Sequence, residues 1–340
     1  IYTYDHLDRD RFEAFLISGD RGRLNDRVQD RDHFFIEKSL IRSINPLRDL
    51  IALNRLRKKI REIKPDIVHT HSSKAGILGR LAAKLCRVPI IIHSVHGFAF
   101  SPNHPLLKNL IYKTIERWIS RITTTFIFVA RSDIDSAKQN RMLRNNDVLI
   151  RSGFPFDRFI RFTGDREQIR ERFNIPKDVL VCGIIAPFKS QKGLFHLVHI
   201  AEKVVQKFPK ILFIIAGDGA LREPLETRIS ESGLDNYFRL PGFLDDVESM
   251  IAISDIGIST ALWEGLPQSL VQFRLMKKAL VVSDIPGNRE IIHNDKNGYT
   301  VNVFDHTAFS DKVVELAKDP EKRKCLADFP DSLSEWDANI

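Results

Sequence analysis

A chain of 340 residues, 43% apolar and 28% charged, has an ordinary globular composition and length enough for two domains with a core each. Its longest apolar runs, such as Ile211-Leu212-Phe213-Ile214-Ile215-Ala216, are far too short to span a bilayer, and no basic-then-apolar leader opens the sequence. The formal charge of +8 is unevenly placed: residues 1–150 hold 27 Lys and Arg against 16 Asp and Glu, and residues 151–340 hold 25 against 28.

A first half at +11 beside a second half at −3 points to an anionic partner for the first half. Nucleic acid is set aside, because the basic residues are scattered and lack an aromatic stacking pattern or a known module. An anionic inner membrane face or a phosphate-bearing acceptor fits the charge, as does a generally basic surface. Cys86, Cys182 and Cys325 lie far apart and match no metal spacing, so they read as free thiols in a reducing cytoplasm. The sequence opens on Ile1 instead of Met, and a missing N-terminal piece is the expectation.

Apolar runs alternate with amphipathic stretches, the pattern of a βαβ series with a parallel sheet. In the first half the expected strands are Phe12–Ile17, Ile67–His69, Ile90–Val95, Phe126–Val129 and Val148–Ile150. The expected helices are Leu47–Ile63, Lys74–Leu85, Leu106–Ile119 and Ser132–Asn140. A loop rich in Gly, Pro, Arg and Phe, Ser152–Gly164, breaks the rhythm and sets domains of 1–155 and 156–340. In the second half the expected helices are Asp165–Phe173, Leu194–Phe208, Ala220–Ser232, Asp246–Ile253, Gln268–Met276 and His306–Lys318. The strands are Val179–Ile185, Ile211–Ala216, Phe238–Leu240, Ile256–Ser259, Leu280–Ser283 and Thr300–Val303, and the polar stretch Cys325–Ile340 is left unassigned. Two doubly wound α/β domains would then set their strand C-termini around one cleft, where ligands bind in such sheets.

Five loops follow expected strands and carry the candidate chemistry. The first, His69-Thr70-His71-Ser72-Ser73-Lys74-Ala75-Gly76, runs into a helix start where Ser72 or Ser73 can cap and free N–H groups can hold an anion. Its histidines, with His93 and His96, lack the Cys or acidic partners of a zinc site, and simple capping beside an exposed His reads equally well. The second loop sets His96 beside Gly97, where a neutral imidazole can bond a sugar hydroxyl or move a proton, or serve as a buried structural group. In the third, Lys189 and Lys192 stand three residues apart before Gly193, which suits a diphosphate as well as solvated surface lysines. The fourth, Ala216-Gly217-Asp218-Gly219, is a tight turn but neither a P-loop nor a dinucleotide fingerprint. The fifth, Trp263-Glu264-Gly265-Leu266-Pro267-Gln268-Ser269-Leu270-Val271-Gln272, offers a carboxylate for hydroxyls and a helix N-terminus for phosphate.

These motifs in this order resemble the family 4 glycosyltransferases, retaining enzymes of the two-Rossmann-domain type termed GT-B, over nearly the whole chain. The resemblance rests on Pro65–Gly76, Val95-His96-Gly97, Phe188–Gly193, Gly217-Asp218-Gly219, Gly242–Val247, Glu264–Pro267 and Gly287-Asn288-Arg289-Glu290. It implies a nucleotide-sugar donor, of the UDP type, and a glycan or lipid-linked acceptor in surface polysaccharide or glycolipid assembly, with no cofactor and no metal. By resemblance Glu264 and His96 contact the donor sugar, and Lys192 binds the diphosphate with Lys189 beside it. Phe243 and Leu244 flank the base, and Gly217, Gly265, Leu266 and Pro267 complete the donor side. His71, Ser72 and Lys74 fall on the acceptor side.

Three departures stand out. Pro187 occupies a position where many relatives have Arg, and Lys189 is the candidate replacement. Gln272 stands where the second acid of the Glu-x7-Glu motif falls, and an amide meets a ribose diol with one acceptor and one donor. The glycine-rich first turn is absent, so the N-terminal domain is expected to lack its first strand. A non-catalytic relative that binds nucleotide sugars or acts as a scaffold is the competing reading. Separately, Leu106, Leu107, Leu110, Ile111, Ile115 and Trp118 recur at helical spacing. Such a stripe is ordinarily a core face; peripheral contact with an anionic membrane is the other reading.

Overall fold

The structure, a computed structural model, describes residues 2–20, 25–41, 43–100, 105–151, 153–154, 156–331 and 333. The chain divides into two compact units, Ile1–Ile150 and Arg151–Ile340.

Unit 1 contains α1 (Tyr2–Asp5), β1 (Leu16–Ser18), β2 (Phe34–Ile36), α2 (Pro46–Ile63), β3 (Ile67–His71), α3 (Ser73–Leu85), β4 (Ile90–Val95), α4 (Leu106–Ser120), β5 (Thr125–Phe128), α5 (Arg131–Gln139) and β6 (Val148–Leu149). Its strands are parallel but form two sheets, β1-β2 and β3-β4-β5-β6. The strand expected at Phe12–Ile17 is confined to Leu16–Ser18: residues before it turn instead, with Arg11 and Phe12 N–H both donating to the Asp8 carbonyl. Helix α2 shows how sequence sets local structure. Asn45 caps its start by accepting from Arg48 N–H at 3.0 Å, Pro46 follows in the first turn, and Lys64 ends it in the left-handed region. Its buried Ala52, Leu56 and Ile60 lie at intervals of four, and the last two join Ala82, Ala83 and Ile91 in one core.

Helix α4 reverses the usual polarity. Its buried positions include Glu116 and Ser120 beside Ile119, whereas Leu106, Leu107, Leu110, Ile111, Ile115 and Trp118 are exposed. The core reading of that stripe is therefore corrected. Glu116 goes inward because Arg80, with a side chain 0% exposed, reaches its carboxylate at 2.9 Å and also bonds the Gly76 carbonyl and Thr123 Oγ1. With an ion pair taking the inner face of its turn, the apolar stripe is left outward.

Unit 2 contains α6 (Asp157–Ile160), α7 (Arg166–Arg172), β7 (Leu180–Ile185), α8 (Leu194–Lys207), β8 (Ile211–Ala216), α9 (Arg222–Glu231), β9 (Phe238–Gly242), α10 (Val247–Ile253), β10 (Ile256–Ser259), α11 (Gln268–Leu275), β11 (Ala279–Ser283), α12 (Pro286–Arg289), β12 (Gly298–Val301), α13 (His306–Lys318) and α14 (Pro320–Asp328). All six strands are parallel, in the order β12-β11-β10-β7-β8-β9. Strand alternation sorts β8 cleanly. Ile211, Phe213 and Ile215 enter a core with α8, α9, α13 and α14, while Leu212, Ile214 and Ala216 enter one with α7, α10 and α11. The result is a three-layer, doubly wound unit. The polar tail left unassigned in sequence is helical through Asp328, since Asp319 accepts from Lys322 N–H and Pro320 starts α14.

Candidate functional site

In unit 2 the strand order reverses between β7 and β10, the place where a doubly wound sheet opens a crevice at its strand C-termini. These two strands pair only at Ile256–Cys182 and Gly257–Gly183. The last residues of each are not partnered with the other, so the loops that follow, 186–193 and 260–267, flank the opening.

Those loops are laced together. Gln191 O accepts from Leu262 N–H at 2.8 Å, Gln191 Nε2 donates to the Trp263 carbonyl at 2.9 Å, and Thr260 Oγ1 donates to the Lys192 carbonyl at 3.0 Å. At the centre Lys192 Nζ forms an ion pair with Glu264 Oε1, and Gln191 Nε2 lies 3.5 Å from the other carboxylate oxygen. Sequence reasoning picked Lys192 and Glu264 separately; the structure brings them together. It missed Gln191 and Thr260, whose polar side chains carry no spacing signal of their own.

Two glycines make the lacing possible. Gly193 has φ of +60°, and a Cβ there would lie 2.1 Å from the Thr260 carbonyl oxygen. Gly217 has φ of +146°, and its Cβ would lie 2.0 Å from the Ala186 oxygen. That close approach lets the 217–219 turn bond both neighbours: Phe188 N–H donates to Asp218 O at 3.0 Å, and Gly217 N–H donates to Gly242 O at 2.8 Å. Phe188 is buried and roots the lysine loop in the core. Phe243 after β9 is exposed, while Leu244 beside it packs on the core.

Helix α11 starts at Gln268 behind the buried Gly265 and Pro267, with Leu266 packed on the core and no side chain capping its first turn. Gln272 lies half-buried one turn further on. Lys189, which precedes the short helical turn Ser190–Lys192, is half-buried. On the far side of the motif Glu290 forms an ion pair with Arg151 at 2.6 Å, both side chains nearly buried, so the first residue of unit 2 is tied to the end of α12. Sequence reasoning quoted Glu290 only as part of a motif and gave Arg151 no role.

The unit 1 candidates gather at the ends of β3 and β4. His71 Nδ1 and His96 Nε2 share a hydrogen bond of 3.1 Å, and His69 Nε2 pairs with Ser94 Oγ at 2.8 Å. His93 is the buried one of the four, bonded through Nδ1 to Thr70 Oγ1 at 2.9 Å. Burial first, then repulsion from Arg80 and His71, pushes His93 down to about 2. His71 and His96 keep an edge in solvent, yet desolvation of their inner faces lowers both, with repulsion from His69 adding at His71. The site therefore presents neutral imidazoles. Ser72 corrects an expectation: it occupies the cap position of α3 but makes no side-chain cap bond, because its φ of 60° and ψ of 161° turn it away from cap geometry. Lys74 pairs with Asp49 and donates to the Ser43 carbonyl at 2.5 Å, so its ammonium is already engaged within unit 1. Among the described residues no group of three or more His, Cys, Asp or Glu is arranged to hold a metal ion.

Unit 2 is thus a doubly wound unit whose switch-point crevice holds a lysine ammonium paired with a carboxylate. Comparison with known proteins agrees. The family model described as Glycosyltransferase Family 4 matches residues 2–154, and that described as Glycosyl transferases group 1 matches residues 165–328. A UDP-Gal:alpha-D-GlcNAc-diphosphoundecaprenol alpha-1,3-galactosyltransferase of Escherichia coli is 28% identical over 94% of this chain and 84% of its own. An N,N'-diacetylbacillosaminyl-diphospho-undecaprenol alpha-1,3-N-acetylgalactosaminyltransferase of Campylobacter jejuni is 24% identical over 88% and 80%. The crystal structure of Anabaena HepE in complex with UDP aligns with a TM-score of 0.73 at 18% identity, covering 95% of each chain, and shares the fold.

The chain belongs to glycosyltransferase family 4, and its fold is GT-B. It is a glycosyltransferase, and glycosyl transfer from a nucleotide-activated sugar is its function. The competing reading, a non-catalytic relative, finds no support among these proteins.

Proposed function

We propose that the protein moves a sugar from a UDP-sugar, with retention, to a hydroxyl of a lipid-linked or glycan acceptor in polysaccharide or glycolipid assembly. The observation that carries this reading is the Lys192–Glu264 pair at the switch point. A lysine ammonium has three donors, so Lys192 can hold Glu264 and still turn toward a diphosphate oxygen. In the transition state negative charge grows on the leaving diphosphate, and Lys192, Lys189 and the start of α11 are placed to meet it without reorganisation. Glu264, fixed by Lys192 and Gln191, is oriented for sugar hydroxyls, with Gln272, one turn into α11, for the ribose. Gly217, Phe243 and Leu244 supply backbone and apolar edges for the base. In unit 1, His96 keeps the sugar-contacting role that the resemblance gives it, and His71, Ser72 and Lys74 the acceptor-side roles.

The named acceptors of the Escherichia coli and Campylobacter jejuni relatives, saccharides on diphospho-undecaprenol, support a lipid-linked acceptor here. No helix among the described residues is long and apolar enough to cross a membrane. Access to such an acceptor is instead peripheral: the exposed stripe of α4 lies on the basic unit and faces an anionic membrane. A thermal-shift panel of nucleotides tests the donor side. UDP and one or a few UDP-sugars should raise the melting temperature in a saturable way, and stabilisation by GDP or ADP alone would refute the UDP assignment. A monodisperse dimer that loses its interface on substitution of Trp118 would assign the α4 face to a second copy instead.

A further inference from the structure

Beside the apolar face of α4 lies an open cleft of about 230 Å³, between this helix and the end of α5. Lys113, Thr114, Arg117, Gln139, Asn140 and Arg141 line it, and Leu110 joins it to the exposed stripe. Three of those six residues are cations and none is an acid. The acid of α4, Glu116, is buried against Arg80; of the two acids of α5, Asp133 is buried, and Asp135 is exposed one turn before Gln139 but does not line the cleft.

Helix-end electrostatics do not account for this charge. A helix C-terminus is equivalent to about half a negative charge, so two of them ask for about one cation. The last turns and end caps of α4 and α5 carry Arg117, Arg121 and Lys138, with Arg141 immediately after. Two of the three polar neighbours already donate to backbone carbonyls. Thr114 Oγ1 donates to the Leu110 carbonyl at 2.8 Å, and Asn140 Nδ2 donates to the Ser136 carbonyl at 2.7 Å. The cations carry the charge that an anion would meet there, and Gln139 and the second Asn140 N–H can add neutral donors. Arg141 is held there by its backbone: its φ is 55°, and bonds from Arg141 N–H to Lys138 O and from Met142 N–H to Ala137 O fix the turn.

We propose that this cleft binds the phosphate of an anionic lipid headgroup while the apolar face of α4 lies against the acyl boundary. A guanidinium fork matches phosphate oxygens in pairs, and Arg117 and Arg141 offer two such forks with the Lys113 ammonium in the same cleft. The cleft thus gives the membrane contact a defined headgroup site in place of diffuse attraction. This inference rests on the peripheral membrane reading above.

The test is flotation of the full chain with vesicles of phosphatidylcholine alone and of phosphatidylcholine with phosphatidylglycerol, at fixed ionic strength. Two charge-matched triple variants are compared: Lys113→Gln/Arg117→Gln/Arg141→Gln in the cleft, and Lys58→Gln/Arg61→Gln/Lys84→Gln on exposed positions of α2 and α3. Each cation near an anionic surface is worth about fivefold in affinity, so the cleft triple should bind anionic vesicles roughly a hundredfold more weakly than wild type. The control triple should lose no more than a tenth of that effect. Equal losses in the two triples would overturn the cleft and leave a delocalised membrane attraction. Equal wild-type binding to both vesicle types would overturn the cleft while sparing the apolar contact. Absence of wild-type binding to either would overturn both readings.

Discussion

Removing the Glu264 carboxylate tests the site from two sides. In the free protein Glu264→Gln leaves the Lys192 ammonium without its counter-ion in a pocket where the two side chains are 18% and 10% exposed for Lys192 and Glu264. Breaking a fully buried pair costs about 3–5 kcal/mol, and residual solvent screening here brings the expectation to about 2 kcal/mol. For a unit of this size each kcal/mol moves the melting temperature by about 2–4 °C, so a fall of about 4–8 °C is expected. UDP restores a negative partner to Lys192, so Glu264→Gln should bind UDP as well as wild type or up to about tenfold tighter. Lys192→Met should instead weaken UDP by about tenfold to a hundredfold, the worth of one charge-assisted hydrogen bond. Turnover should drop in both, by about 10²–10³ where a preorganised transition-state contact is lost. Differential scanning fluorimetry, calorimetric titration with UDP and initial rates give the three readouts. If Glu264→Gln weakens UDP as much as Lys192→Met does, the pair does not share its cation with the diphosphate and the reasoning fails.

Gly193→Ala puts a methyl group 2.1 Å from the Thr260 carbonyl at a backbone angle that alanine avoids. It should cost more than about 2 kcal/mol in urea unfolding of unit 2 and weaken UDP in proportion, whereas an unchanged midpoint contradicts the close approach. Gln272→Glu supplies two acceptors for a ribose diol and should lower the donor KM about threefold to tenfold with little change in kcat; a rise in KM would show that the amide is the better partner here. Acid destabilises unit 1 through His93. Its folded value is depressed to about 2, so between that value and an unfolded value of about 6.5 the unfolded chain binds a proton that the native state refuses. Its stabilisation is complete above about pH 6.5 and falls by about 1.4 kcal/mol per unit below it, about 2 kcal/mol at pH 5. Melts from pH 7.5 to 5 should fall at least this steeply, because the depressed His71 adds to the slope, and His93→Gln should take about 1.4 kcal/mol per unit off it; an unchanged slope would show that other groups carry the acid response.

Much of unit 2 was legible because its core strands are continuous apolar runs: Ile211–Ala216 and Ile256–Ser259 were read with the bounds the structure has. Lys192 and Glu264 were legible as loop residues after strands, but their contact was not, since 72 residues separate them and only the strand order brings β7 beside β10. Ser72 or Ser73 was read as the cap from residue type; Ser72 takes the cap position, and its backbone geometry leaves its side chain without a cap bond. The α4 stripe was read as core because periodicity reports which residues share a face, not which way the face points. That direction was set by Glu116 and its partner Arg80, 36 residues earlier in the chain. The Phe12–Ile17 run shows the same limit: Phe12 closes a local turn onto the Asp8 carbonyl, and only Leu16–Ser18 pairs as a strand.

The central claim is transfer from a UDP-sugar at the Lys192–Glu264 crevice, and acceptor-dependent transfer by the full chain tests it most directly. Incubation with a panel of UDP-sugars and a saccharide on diphospho-polyprenol, followed by mass and linkage analysis, should give one product with the donor's anomeric configuration kept. UDP release should need the acceptor, and Lys192→Met should lower both signals by about 10²–10³. Inversion at the anomeric carbon, undiminished transfer by Lys192→Met, or no transfer from any UDP-sugar would contradict the account.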